Sequence, residues 1–176
     1  MLALTLRATA WPEVTTPAYL WSRGLLMYRD IKFVHTPGMM GLLALAFHFF
    51  GVHATVLRGF ALIGPLAAHG FLLAETRGFA LAHRSIASIF LLSFLYGWQG
   101  NSVWPVPLLA AFAIPVALAL ERGSWARAGL LIGTMILIKQ TSAYLLLVVL
   151  VAVVLSRHLR RAARVLAIAS LPYFAA

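Results

Sequence analysis

The amino-acid sequence predicts an all-α protein, a polytopic bundle of transmembrane helices that carries one polar, acid-containing external loop. Of its 176 residues, 62% are hydrophobic and 10% are charged, and the mean hydropathy is +0.94. A soluble domain has roughly 45–50% apolar and about 25% charged residues. The apolar residues also fall into long runs separated by short polar breaks, and a run of roughly 20 residues can cross a bilayer. These observations exclude a water-soluble globule.

The net charge of +10 comes from 14 Lys and Arg residues against four Asp and Glu residues. In a soluble protein this excess would suggest a nucleic-acid partner. Here the basic residues lie between apolar segments, where they orient helices in a membrane. We therefore expect a multi-pass membrane protein with no nucleic-acid partner. The absence of cysteine excludes disulfides, zinc–thiolate sites and thiol nucleophiles.

Four apolar segments are predicted helices, over residues 38–51, 54–74, 79–96 and 103–120. As a helix, segment 38–51 would be about 21 Å long at 1.5 Å per residue. Because a hydrocarbon core is roughly 30 Å thick, this segment is predicted to be a short juxtamembrane helix, interfacial or re-entrant, that does not cross. The other three are predicted spans. The chain is expected to form a single transmembrane module over residues 1–176.

Residues 126–155 are apolar except for a polar break at 139–142. One continuous helix would be about 45 Å long, so two shorter helices that meet at this break are predicted. Residues 157–164 are predicted to be the densest basic loop, followed by a helix from residue 165 that the chain end interrupts. Residues 1–10 look like the end of a truncated first helix. The module is therefore expected to be truncated at both ends.

The basic residues also predict the orientation of the helices. Under the positive-inside rule, the four arginines of residues 157–164 are expected on the cytoplasmic side. Alternation then assigns the remaining polar segments, with 75–84 and 121–127 inside and with 11–37, 97–102 and Lys139 outside. The polar loop 11–37 and Lys139 are therefore expected at the same face of the membrane.

Four residues of the polar loop are candidates for chemistry: Glu13, Asp30, Lys32 and His35. A carboxylate beside a membrane face can act as general base toward a hydroxyl nucleophile, and nearby cationic groups can hold a phosphate leaving group. In the alternative interpretation, Arg29, Asp30 and Lys32 form a solvated charged patch at the headgroup level. Composition and spacing leave both open.

Arg58 and Lys139 are ionisable residues among apolar neighbours, which is costly unless the side chain reaches a cavity, an anion or the interface. Either could contact a lipid phosphate, or simply extend to the interface. The aromatic rings of the polar loop, Trp21 among them, are typical of an interfacial belt and can also stack on a sugar. Gly129 and Gly133 form a GxxxG pattern that permits close helix contact. His48 and His69 lack metal-ligand spacing, and packed or interfacial roles are expected.

Three stretches resemble the bacterial GT-C-fold glycosyltransferases that use polyprenyl-phosphate sugars, the group of the protein mannosyltransferases and the lipid A aminoarabinose transferases. Glu13 followed by GLLMYRDIKFVHTPG is similar to the family's first external loop, in which an acid precedes G-x-x-x-Y-R-D, a His or Lys, a proline and a short juxtamembrane helix. ATVLRGFALIG resembles the Arg-containing start of the next span. GLLIGTMILIKQTSAYLLL resembles the family's G-x-x-x-G-x-x-x-x-x-K segment. The three stretches cover most of the chain in the expected order.

The resemblance implies an inverting glycosyltransferase of a bacterial inner (plasma) membrane, with a GT-C-like N-terminal module. An external carboxylate would deprotonate an acceptor hydroxyl, which would attack the anomeric carbon of a sugar carried on polyprenyl phosphate. By this likeness the catalytic residues are Glu13 and Asp30, and the residues that bind the substrate phosphate are Lys32, His35, Arg58 and Lys139. The implied partners are the polyprenyl-phosphate sugar donor, membrane lipid, and a lipid, glycan or protein acceptor. No cofactor is specified, although a divalent metal is compatible.

Two features depart from the family's pattern. The family usually has a further acid before a proline in its second external loop, where this chain has Val106 before Pro107, so no metal or acceptor role transfers there. Its members are several hundred residues long, so the chain is expected to be a fragment whose activity alone is open. A lipid or small-molecule carrier and a purely structural membrane module are the alternatives, although no paired repeat or matching broken helices typical of a transporter are visible.

Overall fold

The computed structural model describes residues 9–33, 36–98, 102–103, 105–155 and 159–174, and it confirms the all-α class. The helices are α1 (Pro12–Ser22), α2 (Gly38–Phe50), α3 (Ala54–Glu75), α4 (Leu81–Trp98), α5 (Pro105–Glu121), α6 (Trp125–Ile138), α7 (Ala143–Leu155) and α8 (Leu159–Phe174). A short 3-10 turn covers Gln140–Ser142. Two strands of two residues each, β1 (Thr9–Ala10) and β2 (Ser102–Val103), pair in parallel.

The chain forms two compact units. Unit 1 consists of Met1–Phe33 and Met40–Ala111, and unit 2 of Val34–Met39 and Phe112–Ala176. Each unit has buried apolar side chains of its own. In unit 1 these include Ala18, Leu43, Phe47, Leu95 and Val103, and in unit 2 they include Met39, Ile132, Val153 and Val165.

The predicted helices over residues 38–51, 54–74, 79–96 and 103–120 are confirmed as α2 to α5, within about two residues at each end. Helix α2 has 13 residues and is about 20 Å long, whereas α3 has 22 residues and is about 33 Å long. Among the described residues, α3 is the helix that is both long and apolar enough to cross a membrane. Several other apolar helices are shorter.

The polar break at 139–142 is confirmed. Helix α6 ends at Ile138, and the backbone of Lys139 is extended, with φ −153° and ψ 118°. The 3-10 turn follows, and the Ser142 N–H donates to the Lys139 carbonyl over 2.9 Å before α7 begins. The break therefore needs neither glycine nor proline, because consecutive polar side chains and one extended residue interrupt the helix.

The prediction that residues 11–37 are a loop is wrong for Pro12–Ser22, which form helix α1. Pro12 occupies the first helical position and Glu13 lies in the first turn. Proline at this position has the right φ and gives up no helical hydrogen bond, and a carboxylate there interacts favourably with the helix dipole. These local preferences outweigh the polar composition of the segment.

The prediction of a basic loop over residues 157–164 is also wrong for its described part, because α8 begins at Leu159. Ala162, Val165 and Ala169 are buried, and their spacing of three and four residues places them on one helix face. The arginines at 160, 161 and 164 are exposed on the remaining surface. An amphipathic helix therefore accommodates the charge that was assigned to a loop.

The close helix contact that the GxxxG pattern permits at Gly129 and Gly133 is observed, between α6 and α8. A Cβ added at Gly129 would lie 2.8 Å from the Val165 carbonyl oxygen, and one added at Gly133 would lie 2.6 Å from that of Ala169. Both distances are shorter than real Cβ contacts. The two helix backbones can therefore approach this closely only because α6 carries glycine at these positions.

The predicted helix end at residues 1–10 is wrong for Thr9 and Ala10, and residues 1–8 lie outside the described part of the chain. Thr9 pairs with Ser102, and Ala10 pairs with Val103. Strand pairing satisfies the backbone groups of the segment that directly precedes α1. It also joins that segment, within unit 1, to the two residues of β2.

Candidate functional site

Residues 26–31, which we name the acid loop, form a tight turn in unit 1. The Tyr28 N–H donates to the Ile31 carbonyl over 3.0 Å, and the N–H groups of Asp30 and Ile31 donate to the Leu26 carbonyl over 2.9 and 3.2 Å. Tyr28 has φ +66°, a backbone conformation that residues other than glycine rarely adopt. Such strain persists only where surrounding contacts hold it. The acid loop is thus an ordered structure and not merely a solvated charged patch.

Asp30 is at the centre of the acid loop. Its Oδ2 accepts the Leu26 N–H over 2.8 Å, and the Arg29 guanidinium donates to Oδ1 over 2.9 Å and to Oδ2 over 2.8 Å. The hydrogen bond from Arg29, followed by that from the Leu26 backbone, lowers the pKa of Asp30 below its usual value. A carboxylate with a lowered pKa is a weaker base. This geometry favours Asp30 as the residue that orders the loop.

Glu13 lies in the first turn of α1 and is exposed. Among the residues that the structure describes, no hydrogen bond or ion pair involves its carboxylate. The carboxylate is therefore accessible to a substrate hydroxyl. Of the two sequence-predicted catalytic residues, Glu13 has the geometry of a proton acceptor and Asp30 that of a structural acid.

The sequence-predicted phosphate-binding residues lie in different parts of the chain. Lys32 directly follows the acid loop and is exposed, whereas Arg58 is half-buried on α3, and both belong to unit 1. Lys139 is half-buried at the end of α6 in unit 2. His35 lies outside the described residues. Within the described part of the chain, Lys32 makes no hydrogen bond to Glu13 or Asp30.

A groove of about 520 Å³ lies between α1 and α2 in unit 1. Its lining residues are Trp21, Ser22, Gly24, Gly41, Ala44, Leu45 and His48. A Cβ added at Gly41 would lie 3.1 Å from the Trp21 ring, so the glycine lets the indole pack against α2. The groove combines an aromatic ring with a hydroxyl and an imidazole in otherwise apolar surroundings. Such a combination suits a sugar ring, whose apolar face can stack on the indole.

The polar loop and the polar break are joined within unit 2. The Thr36 N–H, near the end of the loop, donates to the side-chain Oε1 of Gln140 over 3.1 Å. Gln140 directly follows Lys139, so this hydrogen bond brings the end of the polar loop to the break that carries the lysine. The placement of the whole polar loop and Lys139 at one membrane face stays a prediction.

Two residues of these arrangements were not singled out from the sequence. Arg29 was interpreted only as part of a charged patch, although its position beside Asp30 is a usable signal for an ion pair. Gln140 carried no signal for its contact, because its partner Thr36 is 104 positions away.

Among the described residues, no three His, Asp or Glu side chains come together as metal ligands. Unit 1 contains an exposed carboxylate, an ordered acid loop, the basic residues Lys32 and Arg58, and an aromatic groove. No protein-family model, curated protein or solved structure matches this chain.

Proposed function

We propose that the chain is a membrane glycosyltransferase, or part of one, which transfers a sugar from polyprenyl phosphate to an acceptor hydroxyl. The observation that carries this proposal is the contrast between Asp30 in the acid loop and Glu13 in the first turn of α1. Asp30 is held ionised by Arg29 and by the Leu26 N–H, and the Glu13 carboxylate is accessible. An accessible carboxylate and a loop ordered by a second acid, both in unit 1, support separate roles for the two acids.

In the proposed reaction, the Glu13 carboxylate removes the proton from the acceptor hydroxyl as that oxygen attacks the anomeric carbon of the sugar. The bond between this carbon and the phosphate oxygen breaks, and polyprenyl phosphate leaves with the electron pair. Attack opposite to the leaving group inverts the anomeric centre. Glu13 thus acts as a general base, a role that typically contributes about 10²- to 10⁴-fold to a rate.

Basic residues stabilise the phosphate of the donor and the charge that it gains on leaving. Lys32 and Arg58 of unit 1 are assigned this role, because cationic groups near a leaving phosphate lower the energy of the transition state. Roles for Lys139 and His35 stay predictions. The groove between α1 and α2 is assigned to a sugar ring, with Trp21 as the stacking surface.

The proposed membrane location is supported by helix length and composition. Helix α3 is long enough to span a hydrocarbon core, and its neighbours in sequence are apolar. Helix α2 is too short to cross and suits a position at the interface. In this arrangement the acid loop and α2 lie at the non-cytoplasmic face of an inner (plasma) membrane that α3 crosses. The multi-pass topology expected from the sequence is part of the same proposal.

The proposal is tested by Glu13→Gln, which keeps the side-chain shape and removes the base. Membranes containing the full chain are given a polyprenyl-phosphate hexose, and release of polyprenyl phosphate is measured. We expect the variant to lose about 100-fold or more of the rate, because a general base is removed.

The matched control is Glu121→Gln, which neutralises an exposed acid at the end of α5 and should leave the rate unchanged. Retention of the wild-type rate by Glu13→Gln, with equal protein in the membrane fraction, would refute the catalytic assignment. Recovery of the wild-type chain in the soluble fraction would refute the membrane location.

A further inference from the structure

A helical hairpin in unit 1 buries three polar atoms that the proposed reaction does not use. Helices α3 and α4 are joined by residues 76–80 and pack against one another. The buried atoms are Nε2 of His69 on α3, and Nε of Arg84 and Oγ of Ser88 on α4. None of the three has a hydrogen-bond partner within the described part of the chain. We name these residues the hairpin donor cluster.

The three residues lie at similar depth in the hairpin. His69 precedes the end of α3 by six residues, and Arg84 and Ser88 follow the start of α4 by three and seven residues. At 1.5 Å per residue, all three are roughly 5–11 Å from the connection. Arg84 and Ser88 are four residues apart and therefore lie on one face of α4. The hairpin thus has three buried polar atoms in the part nearest its turn.

The chemistry of the hairpin donor cluster is that of a donor set. Guanidinium N–H groups only donate, a serine hydroxyl can donate, and Nε2 of histidine donates in its Nε2–H tautomer or when protonated. A buried polar group is costly without a partner. The ligand best suited to several donors and one fixed positive charge is an anion with several acceptor oxygens.

The position of Arg84 adds a second reason to expect an anion. It lies in the first turn of α4, where the helix dipole is unfavourable for a cation and favourable for an anion. The other charged or titratable groups around the turn are Glu75, Arg77 and His83, so basic residues outnumber the acid. An anion in the hairpin would be stabilised by both the side chain and the helix end.

We propose that the hairpin donor cluster binds a phosphate group. If the membrane location proposed above holds, the cluster lies at the boundary between headgroups and hydrocarbon, where the phosphate of an anionic lipid is found. The proposed membrane location bears only on the source of the phosphate, a lipid or the solution. The phosphate site itself does not depend on it. This site is separate from sugar transfer, because none of its residues belongs to the acid loop or to the groove.

The experiment compares three probes with the purified full chain in detergent: phosphatidylglycerol, the phosphate-free lipid diacylglycerol, and inorganic phosphate. Affinity is measured as the concentration that gives half of the maximal rise in unfolding temperature. We expect phosphatidylglycerol to bind and diacylglycerol not to bind. Arg84→Gln should weaken binding by about tenfold or more, because a charge-assisted hydrogen bond is lost.

The matched control is Arg77→Gln, which removes the same charge from an exposed position in the same connection and should change affinity by less than about twofold, since surface charges contribute little. Ser88→Ala removes one donor with little change in shape and tests the cluster if Arg84→Gln does not fold. It should weaken binding by a smaller factor than Arg84→Gln.

Each outcome decides the proposal. Binding of phosphatidylglycerol that depends on Arg84 but not Arg77 supports a lipid phosphate, and the same pattern with inorganic phosphate alone supports a soluble phosphate. Equal effects of the two arginine variants, equal binding of diacylglycerol, or binding of neither phosphate probe would overturn it. A fractionation of the wild-type chain separates these results from a failure of the membrane location.

Discussion

The acid loop and the polar break at 139–142 are both short polar interruptions, yet different kinds of contact hold them. In the acid loop, the hydrogen bonds described above join positions within five of one another, as between the Leu26 N–H and Asp30. In the break, Gln140 accepts a hydrogen bond from Thr36, 104 positions away. The first is organised by its own sequence, whereas the second depends on the fold of unit 2.

This difference predicts different responses to mutation. A loop closed by local bonds can keep its structure when the packing elsewhere changes. A break held by a distant backbone group transmits any change in the packing of its unit. Perturbing the packing of unit 2 should therefore affect the break and leave the acid loop intact.

The largest effect on stability is expected from Gly133→Ala, which changes the packing of unit 2 and so tests whether the break depends on that packing. The added Cβ would lie 2.6 Å from the Ala169 carbonyl oxygen, so α6 and α8 must separate. We expect the free energy of unfolding in detergent to fall by about 1–3 kcal/mol, as for other overpacked sites. Hydrogen exchange should show less protection at Thr36 and no change at Leu26.

The control is Gly70→Ala on α3, where a Cβ would meet no atom within 4 Å. Alanine there should be neutral or stabilising by up to about 1 kcal/mol, because it reduces the freedom of the unfolded chain. Equal stability of the two variants would contradict the close approach of α6 and α8.

A smaller effect is expected from Gln140→Ala, which removes the acceptor of the partly buried Thr36 N–H. Leaving such a donor unpaired costs about 1–2 kcal/mol, and equilibrium unfolding in detergent measures the loss. Thr141→Ala changes the next, exposed residue and should stay within about 0.5 kcal/mol of wild type. Similar values for both variants would mean that the hydrogen bond does not hold the break.

The smallest effect is the pH dependence of the acid loop, since Asp30 is exposed to solvent. The pKa of Asp30 is lowered in the folded loop, chiefly by the hydrogen bond from Arg29. Its contribution to loop order is therefore complete above the ordinary Asp pKa of about 3.9 and is lost as the pH falls through the lowered value. Hydrogen-exchange protection of the Leu26 amide should follow this loss.

The internal control for that measurement is the Thr36 amide, whose acceptor Gln140 does not titrate. Its protection should show no step in the same pH range. Asp30→Asn should remove the step at Leu26. A step that persists in this variant would show that another group controls the loop.

The sequence predicted the helices best where the physical cause is local. The break at Lys139 followed from the length of one apolar run, and the close contact at Gly133 followed from a glycine spacing. Helix α1 was missed because the polar composition of its segment outweighed the capping signals of Pro12 and Glu13. The basic start of α8 was missed because its buried face is apparent only beside α6.

For the candidate site, the sequence identified Glu13 and Asp30 as acids of one segment but assigned both to catalysis. The structure separates them, because Arg29 and the Leu26 N–H engage Asp30 and no described residue engages the Glu13 carboxylate. Packed or interfacial roles were expected for histidines such as His69. In the same hairpin, buried atoms of Arg84 and Ser88 without a partner among the described residues are apparent only in the structure, and they led to the proposed phosphate site.

By itself, the sequence determined the all-α class, the order of the helices and the position of the polar break. These depend on hydrophobic runs, charges and glycines that act over a few residues. Only the tertiary structure decided which helix backbone packs against Gly133 and which residue donates a hydrogen bond to Gln140. Those contacts join positions distant in sequence, and their partners are selected by packing, which no local pattern records.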